Sequence, residues 1–290
     1  IPYRPSNRVP KWHALATKLS SDYPLGSVPD WAIFLTGAGD KQQDRAYWSV
    51  KAWGENKRSA LVDFGEVACE RTQYGELRVG SDLPPIDRYA VNRVFPLVAA
   101  NRFGQKTLRV RLFGIDTQHD PHTVWDWIRS HTGATRGIVR ALGGDANPLY
   151  PYYRMQVVEK SARDGKPYEG GMERWGLNTA NYKQGLLDRW GLEPGDEGFC
   201  YLPADAVACC ASYVAQMTNE APVATDKGIE WQIIDRSIGN HAFDLEVYHT
   251  ALADMVVGLF KPAEKPVAKT EREGKGFVRR PEGRGLIRRG

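Results

Sequence analysis

Apolar and polar positions in the first quarter of the chain predict three neighbouring strands. Residues 31–35 form an apolar run that opens into Thr36-Gly37-Ala38-Gly39 and then Asp40, a pattern that predicts a buried strand at 31–38. Residues 45–53 alternate polar and apolar side chains, which is typical of a half-buried antiparallel strand. A third strand is predicted at 58–64 after a short polar turn. The pattern therefore indicates an antiparallel meander.

A strand, a helix and a strand are predicted in the middle of the chain. Residues 107–115 have the composition of a strand and end at Asp116. Residues 121–131 have helical spacing with proline in the first turn, and residues 136–141 form another short strand. Parallel strands need a crossover connection, so this order predicts two parallel strands joined by a helix.

The remaining segments predict one hairpin and several helices. Residues 152–160 and 172–177 flank a turn containing Asp164-Gly165, which indicates a β-hairpin arm. The other predicted elements are helices at 86–102 (interrupted by Pro96), 180–190, 205–217 and 240–260, and strands at 197–202 and 229–235.

This order of elements predicts an α/β fold with a ribonuclease-H-like mixed sheet. Three antiparallel strands are followed by parallel strands, with flanking helices and the hairpin arm. Residues 1–29 are predicted to be a lead-in or linker, residues 30–260 the folded domain, and residues 261–290 a basic flexible tail. Fold analogy alone assigns no function.

Charge is distributed unevenly along the chain. The net charge is +4, from 39 basic and 35 acidic residues. Residues 261–290 hold ten Lys or Arg and four Asp or Glu, a net +6, which leaves 29 basic and 31 acidic residues, or −2, for the body. The basic balance is therefore weak evidence for a nucleic-acid surface on the body.

Cysteine spacing and hydropathy restrict the class of protein. The four cysteines form no C-x-x-C pair, which indicates reduced thiols in an intracellular protein. No apolar run approaches the roughly 20 residues of a membrane span. We therefore expect no membrane association.

Three carboxylates lie at predicted element ends. Asp40 follows the first strand, Asp116 ends the strand at 107–115, and Asp244 lies in the first turn of the last helix. Hard divalent cations prefer oxygen ligands, and two such ions can hydrolyse a phosphodiester by activating water and stabilising the leaving oxygen. Asp40, Asp116 and Asp244 are therefore candidate catalytic residues that could bind two Mg²⁺ or Mn²⁺ ions.

Each of these aspartates also has a plain structural interpretation. A carboxylate at a strand or helix end often caps the element or complements the helix dipole. Four other acidic residues lie close in sequence and could replace one of the three: Asp44, Asp120, Asp126 and Glu246. His119, Asp120 and His122 could form a transition-metal site, although a solvated turn entering the helix also explains them.

A short motif surrounds each of the three aspartates. The first is P-D-W-A-I-F-L-T-G-A-G-D-K-Q-Q-D-R, the second is F-G-I-D-T-Q-H-D-P-H-T-V-W-D-W-I-R, and the third is N-H-A-F-D followed by Tyr248. In this order, from about residue 15 to residue 255, they resemble the nuclease motifs of the lambda-type phage terminase large subunit. The resemblance covers most of the predicted domain.

The sequence departs from the family pattern at several positions. His241 stands where the family usually has glutamate, and Asn181 stands where it tends to have lysine. Lys183 could replace that basic contact, and Arg140 lies near a position where Lys-Gly is frequent. Lys160, Arg163 and Lys166 of the hairpin arm, with Arg140 and Lys183, are the predicted contacts to the DNA backbone. A solvated charged turn explains the hairpin residues equally well.

The resemblance implies a function and a set of partners. It implies a metal-dependent DNA endonuclease that cuts concatemeric double-stranded DNA during phage packaging in the host cytoplasm. It also implies an upstream ATPase domain in the same polypeptide, a small terminase subunit, and a procapsid portal that receives the 261–290 tail. No G-x-x-x-x-G-K-[ST] motif occurs, so ATP chemistry is not expected of these residues.

Two alternatives stay open at this point. One is another ribonuclease-H-like nuclease, such as a junction resolvase or a transposase. The other is a non-catalytic module that docks DNA or the portal.

Overall fold

The computed structural model of the 290-residue chain describes most of the predicted domain. The described residues are 9–42, 45–68, 70–71, 77–78, 108, 110–118, 121, 124–125, 128, 137–145, 149–160, 165–226 and 228–260. The helix predicted at 86–102 and the tail at 261–290 lie outside these residues, as does Arg163.

Within these residues, twelve strands and five helices have defined ends. The strands are β1 (Phe34–Lys41), β2 (Arg45–Trp53), β3 (Ser59–Ala68), β4 (Glu70–Arg71), β5 (Leu77–Arg78), β6 (Val110–Asp116), β7 (Val139–Gly144), β8 (Tyr153–Lys160), β9 (Pro167–Leu177), β10 (Cys200–Tyr201), β11 (Glu220–Thr225) and β12 (Gly228–Ile233). The helices are α1 (Trp12–Leu19), α2 (Thr179–Trp190), α3 (Ala206–Cys209), α4 (Ala211–Met217) and α5 (His241–Phe260), and a 3₁₀ turn covers Glu55–Lys57. The described residues of the helix predicted at 121–131 are helical.

Eight strands form one mixed sheet, in the order β10-β3-β2-β1-β6-β7-β9-β8. Strands β1, β2 and β3 are antiparallel neighbours, whereas β6, β7 and β9 run parallel to β1. This arrangement confirms the predicted ribonuclease-H-like α/β sheet. Because β1 and β6 are adjacent and parallel, their C-terminal ends meet at the same edge of the sheet.

The sheet is buried on both faces around β1. Every residue of β1 is buried, which explains its continuous apolar pattern. Phe34 and Ala38 contribute to the larger core, while Leu35 contributes to a second core on the opposite side. Helix α5 packs across β1, β2 and β6 on the side of the larger core.

The predicted lead-in contains residues that pack into the domain. Leu15, Ala16 and Leu19 of α1 belong to the larger core, and Tyr23 and Val28 belong to the second core. The described part of residues 1–29 thus contributes to domain stability. The boundary between lead-in and domain stays a prediction.

The predicted hairpin arm is an extension of the main sheet. Strands β8 and β9 pair antiparallel, and residues 174–177 of β9 also pair with β7. Residues 167–173 of β9 pair with β8 alone among the described residues. The base of the hairpin is therefore fixed by the sheet, and the described residues beyond the base pair as a two-stranded ribbon.

The structure differs from the prediction in two places near the C-terminus. The helix predicted at 205–217 is divided into α3 and α4, because Cys210 has φ −120° and ψ 15°. Strand β11 was not predicted; it pairs with β12 in a separate hairpin. Most of this hairpin is exposed, so its sequence lacks the strict alternation that marks a half-buried strand.

Three of the four cysteines lie in the described part of the chain. Cys200, Cys209 and Cys210 are free cysteines. In the portion of the chain that the structure covers, no helix is long and apolar enough to cross a membrane.

A buried ion pair joins α5 to the sheet. Lys51 of β2 donates to Glu246 of α5, and both side chains are almost completely buried. The second oxygen of Glu246 accepts a hydrogen bond of 2.9 Å from the hydroxyl of Tyr213. Glu246, an alternative site residue in the sequence, is therefore part of the core.

His249 makes a second polar connection between α5 and the sheet. Its Nδ1 lies 2.7 Å from Thr36 Oγ1 on β1, and its Nε2 lies 2.8 Å from Ser49 Oγ on β2. Burial, followed by the charge of Lys51, holds the pKa of His249 well below its usual value. The neutral imidazole thus fixes α5 relative to two strands.

We predict that Lys51→Met destabilises the domain by roughly 3–5 kcal/mol, because it leaves the Glu246 carboxylate buried without its counter-charge. The control is Lys57→Met, since Lys57 is half-exposed in its ion pair with Asp254, and exposed pairs contribute about 0–1 kcal/mol. Urea unfolding measures both variants. Equal small losses in the two variants would contradict a structural role for the buried pair.

Candidate active site

Two of the three predicted aspartates lie side by side at the C-terminal edge of the sheet. Asp40 is the penultimate residue of β1, and Asp116 is the last residue of β6. The register pairs Gly39 with Ile115. Asp40 and Asp116 are the next residues on these two strands and therefore lie side by side. Both are buried, with exposed fractions of 3% and 4%.

Asp40 is held by residues from two elements. Gln42 Nε2 donates to Asp40 Oδ1 at 2.7 Å, and His241 Nδ1 lies 2.7 Å from Asp40 Oδ2. The His241 ring stacks on Tyr47 with a centroid separation of 4.1 Å and an interplanar angle of 9°. His241 therefore contacts Asp40 directly.

Asp116 is held by a tyrosine of α5 and by the backbone. The hydroxyl of Tyr248 donates to Asp116 Oδ1 at 2.8 Å, and the Gln118 N–H donates to Oδ2 at 3.1 Å. Tyr248 is buried, and burial together with the nearby carboxylates raises its pKa well above the usual value. The hydroxyl thus keeps its proton and remains a donor.

Asp244 lies in the first turn of α5 beside a lysine. Asn240 Nδ2 donates to Asp244 Oδ2 at 3.0 Å, and Lys183 Nζ lies 3.2 Å from Oδ1. The same lysine lies 2.6 Å from Glu220 Oε2, and Asn240 Nδ2 also contacts the other oxygen of Glu220. Asp244 and Glu220 therefore share one ammonium group and one amide donor.

The three aspartates affect one another electrostatically. Burial, followed by the charge of Asp40, raises the pKa of Asp116 to about 7, against the opposing hydrogen bonds from Tyr248 and Gln118. Burial raises the pKa of Asp244 to about 6; Lys183 opposes this shift, and the charges of Glu220 and Asp40 add to it. The site thus contains more negative charge than its described partners neutralise.

The donor chemistry of this site suits a hard divalent cation. Glu220 and Asp244 share one ammonium group, Asp40 and Asp116 lie at the ends of neighbouring strands, and carboxylate oxygens are the usual ligands of Mg²⁺ and Mn²⁺. Within the described residues, no group of three or more His, Cys, Asp or Glu side chains is arranged to hold a metal ion. A bound ion would therefore replace some of the protein donors that the carboxylates now have.

The predicted DNA-contacting residues lie in different environments. Lys160 is exposed at the end of β8, and Lys166 is exposed at the start of the second hairpin segment. Arg140 of β7 is partly buried with its guanidinium 5.7 Å from the Trp175 ring, and burial lowers its pKa. Lys183 is 8% exposed and pairs with Glu220 and Asp244 instead of facing solvent.

Several alternatives from the sequence cannot be compared with the structure. Asp44, Asp120 and Asp126 lie outside the described residues, as do His119 and His122.

Sequence reasoning missed Glu220 and gave Asn240, Gln42 and Tyr248 no structural role. Tyr248 follows Asp244 by four residues on the same helix, a spacing that places both on one face, so periodicity could have suggested it. Glu220 begins an unpredicted strand, and its contact with Lys183 spans 37 positions. No local pattern marks such a contact.

A sequence profile of a known family matches the chain. The profile describes the endonuclease domain of the terminase large subunit gpA, and it matches residues 1–261. This chain belongs to that family. The resemblance inferred from the three motifs is thereby confirmed.

Two solved structures are similar to this terminase nuclease domain at low identity. The large terminase nuclease from the thermophilic phage G20c is 11% identical, with a TM-score of 0.37, over 83% of this chain and 97% of that one. The g2p large terminase nuclease domain of bacteriophage SPP1 with bound Mn is 12% identical, with a TM-score of 0.35, over 81% and 97%. Similarity at this level assigns no individual residue. No curated protein sequence matches the chain.

We predict that Asp116→Asn stabilises the metal-free domain at neutral pH. The pKa of Asp116 is about 7 in the folded protein and 3.8 as the ordinary value. Below pH 4 the carboxyl is protonated in both states and does not affect the free energy of unfolding. Between pH 4 and pH 7 it ionises more readily in the unfolded chain, so the free energy of unfolding falls as pH rises. The parent should therefore lose up to about 4 kcal/mol relative to the variant as pH rises from 4 to 7.

Urea unfolding with a chelator present measures this difference. The control is Asp226→Asn, because Asp226 is exposed in the turn between β11 and β12. Parallel pH profiles for the parent and Asp116→Asn would contradict the buried, repelled state of Asp116.

Proposed function

We propose that this domain is a metal-dependent endodeoxyribonuclease that cuts concatemeric double-stranded DNA during phage genome packaging. Asp40, Asp116 and Asp244 would hold two Mg²⁺ or Mn²⁺ ions. The observation that supports this most strongly is that Asp40 and Asp116 lie at the ends of neighbouring strands, and that the charge of Asp40 contributes to the raised pKa values of both Asp116 and Asp244. Membership of the terminase endonuclease family supports the substrate class.

The residues around the carboxylates would position them for the reaction. Two ions, when bound, supply an activated water and stabilise the leaving oxygen. Tyr248 and the Gln118 N–H orient Asp116, while Gln42 and His241 orient Asp40. Fixed donors of this kind set the direction and basicity of metal ligands.

The hairpin and the charge balance suggest how DNA is bound. Lys160 and Lys166 are exposed on the projecting hairpin, where they would contact phosphates without reading sequence. The body outside residues 261–290 carries a net −2, so its own affinity for DNA should be modest. We propose that an upstream ATPase domain of the same polypeptide raises the local DNA concentration.

The phage DNA-packaging machinery would supply the other partners of this domain. A small terminase subunit would select the cutting site, and the basic tail at 261–290 would dock on the procapsid portal. The tail carries ten Lys or Arg against four Asp or Glu, which favours a partner with an acidic surface.

One observation favours a second candidate function. The described residues contain no group of three or more ligand-type side chains already arranged around a metal position. A non-catalytic module that docks DNA or the portal would not need such a group.

Cleavage of supercoiled plasmid DNA with Mn²⁺ distinguishes the two functions. We predict that the parent nicks and linearises the plasmid, that a chelator stops it, and that Asp40→Asn, Asp116→Asn and Asp244→Asn each reduce the rate by on the order of a hundredfold or more. Asp226→Asn, at an exposed turn, should cut as the parent does.

Two results would contradict this proposal. If the folded parent cuts nothing with Mn²⁺, the docking function is favoured. If Asp40→Asn cuts as fast as the parent, Asp40 is not a catalytic residue and the proposed site is wrong. Cleavage restricted to branched junctions would instead favour a resolvase.

A further inference from the structure

Lys183 occupies a central position between two carboxylates. Its ammonium lies 2.6 Å from Glu220 Oε2 and 3.2 Å from Asp244 Oδ1, and the side chain is almost completely buried. Glu220 is also buried, with 3% of its surface exposed. The two carboxylates are therefore held together by one positive charge that is itself shielded from water.

The Lys183 ammonium has two anionic partners. Its contact with Glu220 is the shorter one, and its contact with Asp244 is longer. A lysine side chain is a point charge on a flexible stem. Its ammonium can therefore give up Asp244 and keep Glu220 without becoming an unpaired buried charge.

We propose, on the basis of the proposed function, that Lys183 is an internal counter-cation that competes with the divalent ion for Asp244. Its ammonium keeps Asp244 and Glu220 together when no metal is bound. A divalent ion binds Asp244 by displacing the ammonium, which retreats onto Glu220. Lys183 is thus a positioning residue that lowers the affinity of the site for metal, and Glu220 is the residue that receives it.

The proposal has a direct electrostatic basis. A divalent ion placed on Asp244 would be repelled by an ammonium that stays within hydrogen-bond distance of the same carboxylate. Removing the ammonium removes both the repulsion and the competing hydrogen bond. Removing Glu220 has the opposite effect, because Lys183 then has Asp244 as its one remaining anionic partner among its described contacts.

Calorimetric titration with Mn²⁺ measures the competition. We expect Lys183→Met to bind Mn²⁺ about tenfold more tightly than the parent, since a hydrogen bond to a charged group must no longer be broken. Lys183→Arg keeps the charge and should bind like the parent. Equal or weaker Mn²⁺ binding by folded Lys183→Met would overturn the proposal.

Glu220→Gln separates the proposed role from direct coordination. With Lys183 present, we expect the variant to bind Mn²⁺ several-fold more weakly than the parent. In the Lys183→Met background, adding Glu220→Gln should weaken Mn²⁺ binding much less than it does in the parent, because Glu220 acts mainly by holding the lysine and its own charge is a smaller influence. An equal loss of affinity in both backgrounds would show that Glu220 acts on the ion directly, and would overturn the proposal.

A measurement on the unaltered chain avoids any folding defect of the variants. Protein carrying ¹⁵N-lysine should show a protected Lys183 ammonium resonance, assigned by its loss in Lys183→Arg. We expect this resonance to shift during a Mg²⁺ titration with the midpoint of metal binding. An unchanged resonance in a protein that binds the metal and cuts DNA would overturn the proposal while the nuclease function stands.

Absence of binding is also informative. If neither the parent nor Lys183→Met binds Mn²⁺, the proposed nuclease function and the inference both fail. Binding that appears only in Lys183→Met would support the counter-cation directly.

Discussion

Repulsion among buried carboxylates is the interaction on which the rest of this site depends. Asp40 and Asp116 end neighbouring parallel strands and are almost completely buried, and Asp244 approaches from α5. Isolated buried charges are costly, so each carboxylate needs donors or a counter-charge. The chain supplies neutral hydrogen-bond donors to Asp116 and shares the Lys183 ammonium between Asp244 and Glu220. The remaining excess of negative charge is what a divalent cation would neutralise.

Helix α5 couples this site to the core. Asp244 and Tyr248 face the site, whereas Glu246 and His249 make buried polar contacts with β1, β2 and α4. The contacts to Lys51 and Ser49 fix the position of the helix along the sheet. The position of Asp244 relative to Asp40 is therefore set by interactions in the core as well as by those at the sheet edge. This arrangement meets the need for catalytic groups to be held rigidly by their surroundings.

The sequence predicts the parts of this arrangement that have a local pattern. Apolar runs and alternation located β1, β2 and β6, and parallel order explained why Asp40 and Asp116 share an edge. The buried ion pairs had no such pattern, because each joins residues far apart in sequence. The sequence predicted that Lys183 contacts DNA. In the structure Lys183 is buried between Asp244 and Glu220. Glu220 begins β11, a partly exposed strand whose weak periodicity does not reveal it in the sequence. The catalytic roles of the three aspartates stay predictions.

Anomalous diffraction from crystals of the domain soaked in Mn²⁺ tests the central claim most directly. The account predicts two anomalous peaks, each within about 2.0–2.6 Å of carboxylate oxygens, with Asp40, Asp116 and Asp244 all contributing ligands. Peaks confined to surface residues, in crystals whose site is open to solvent and at a Mn²⁺ concentration that supports cleavage, would contradict it.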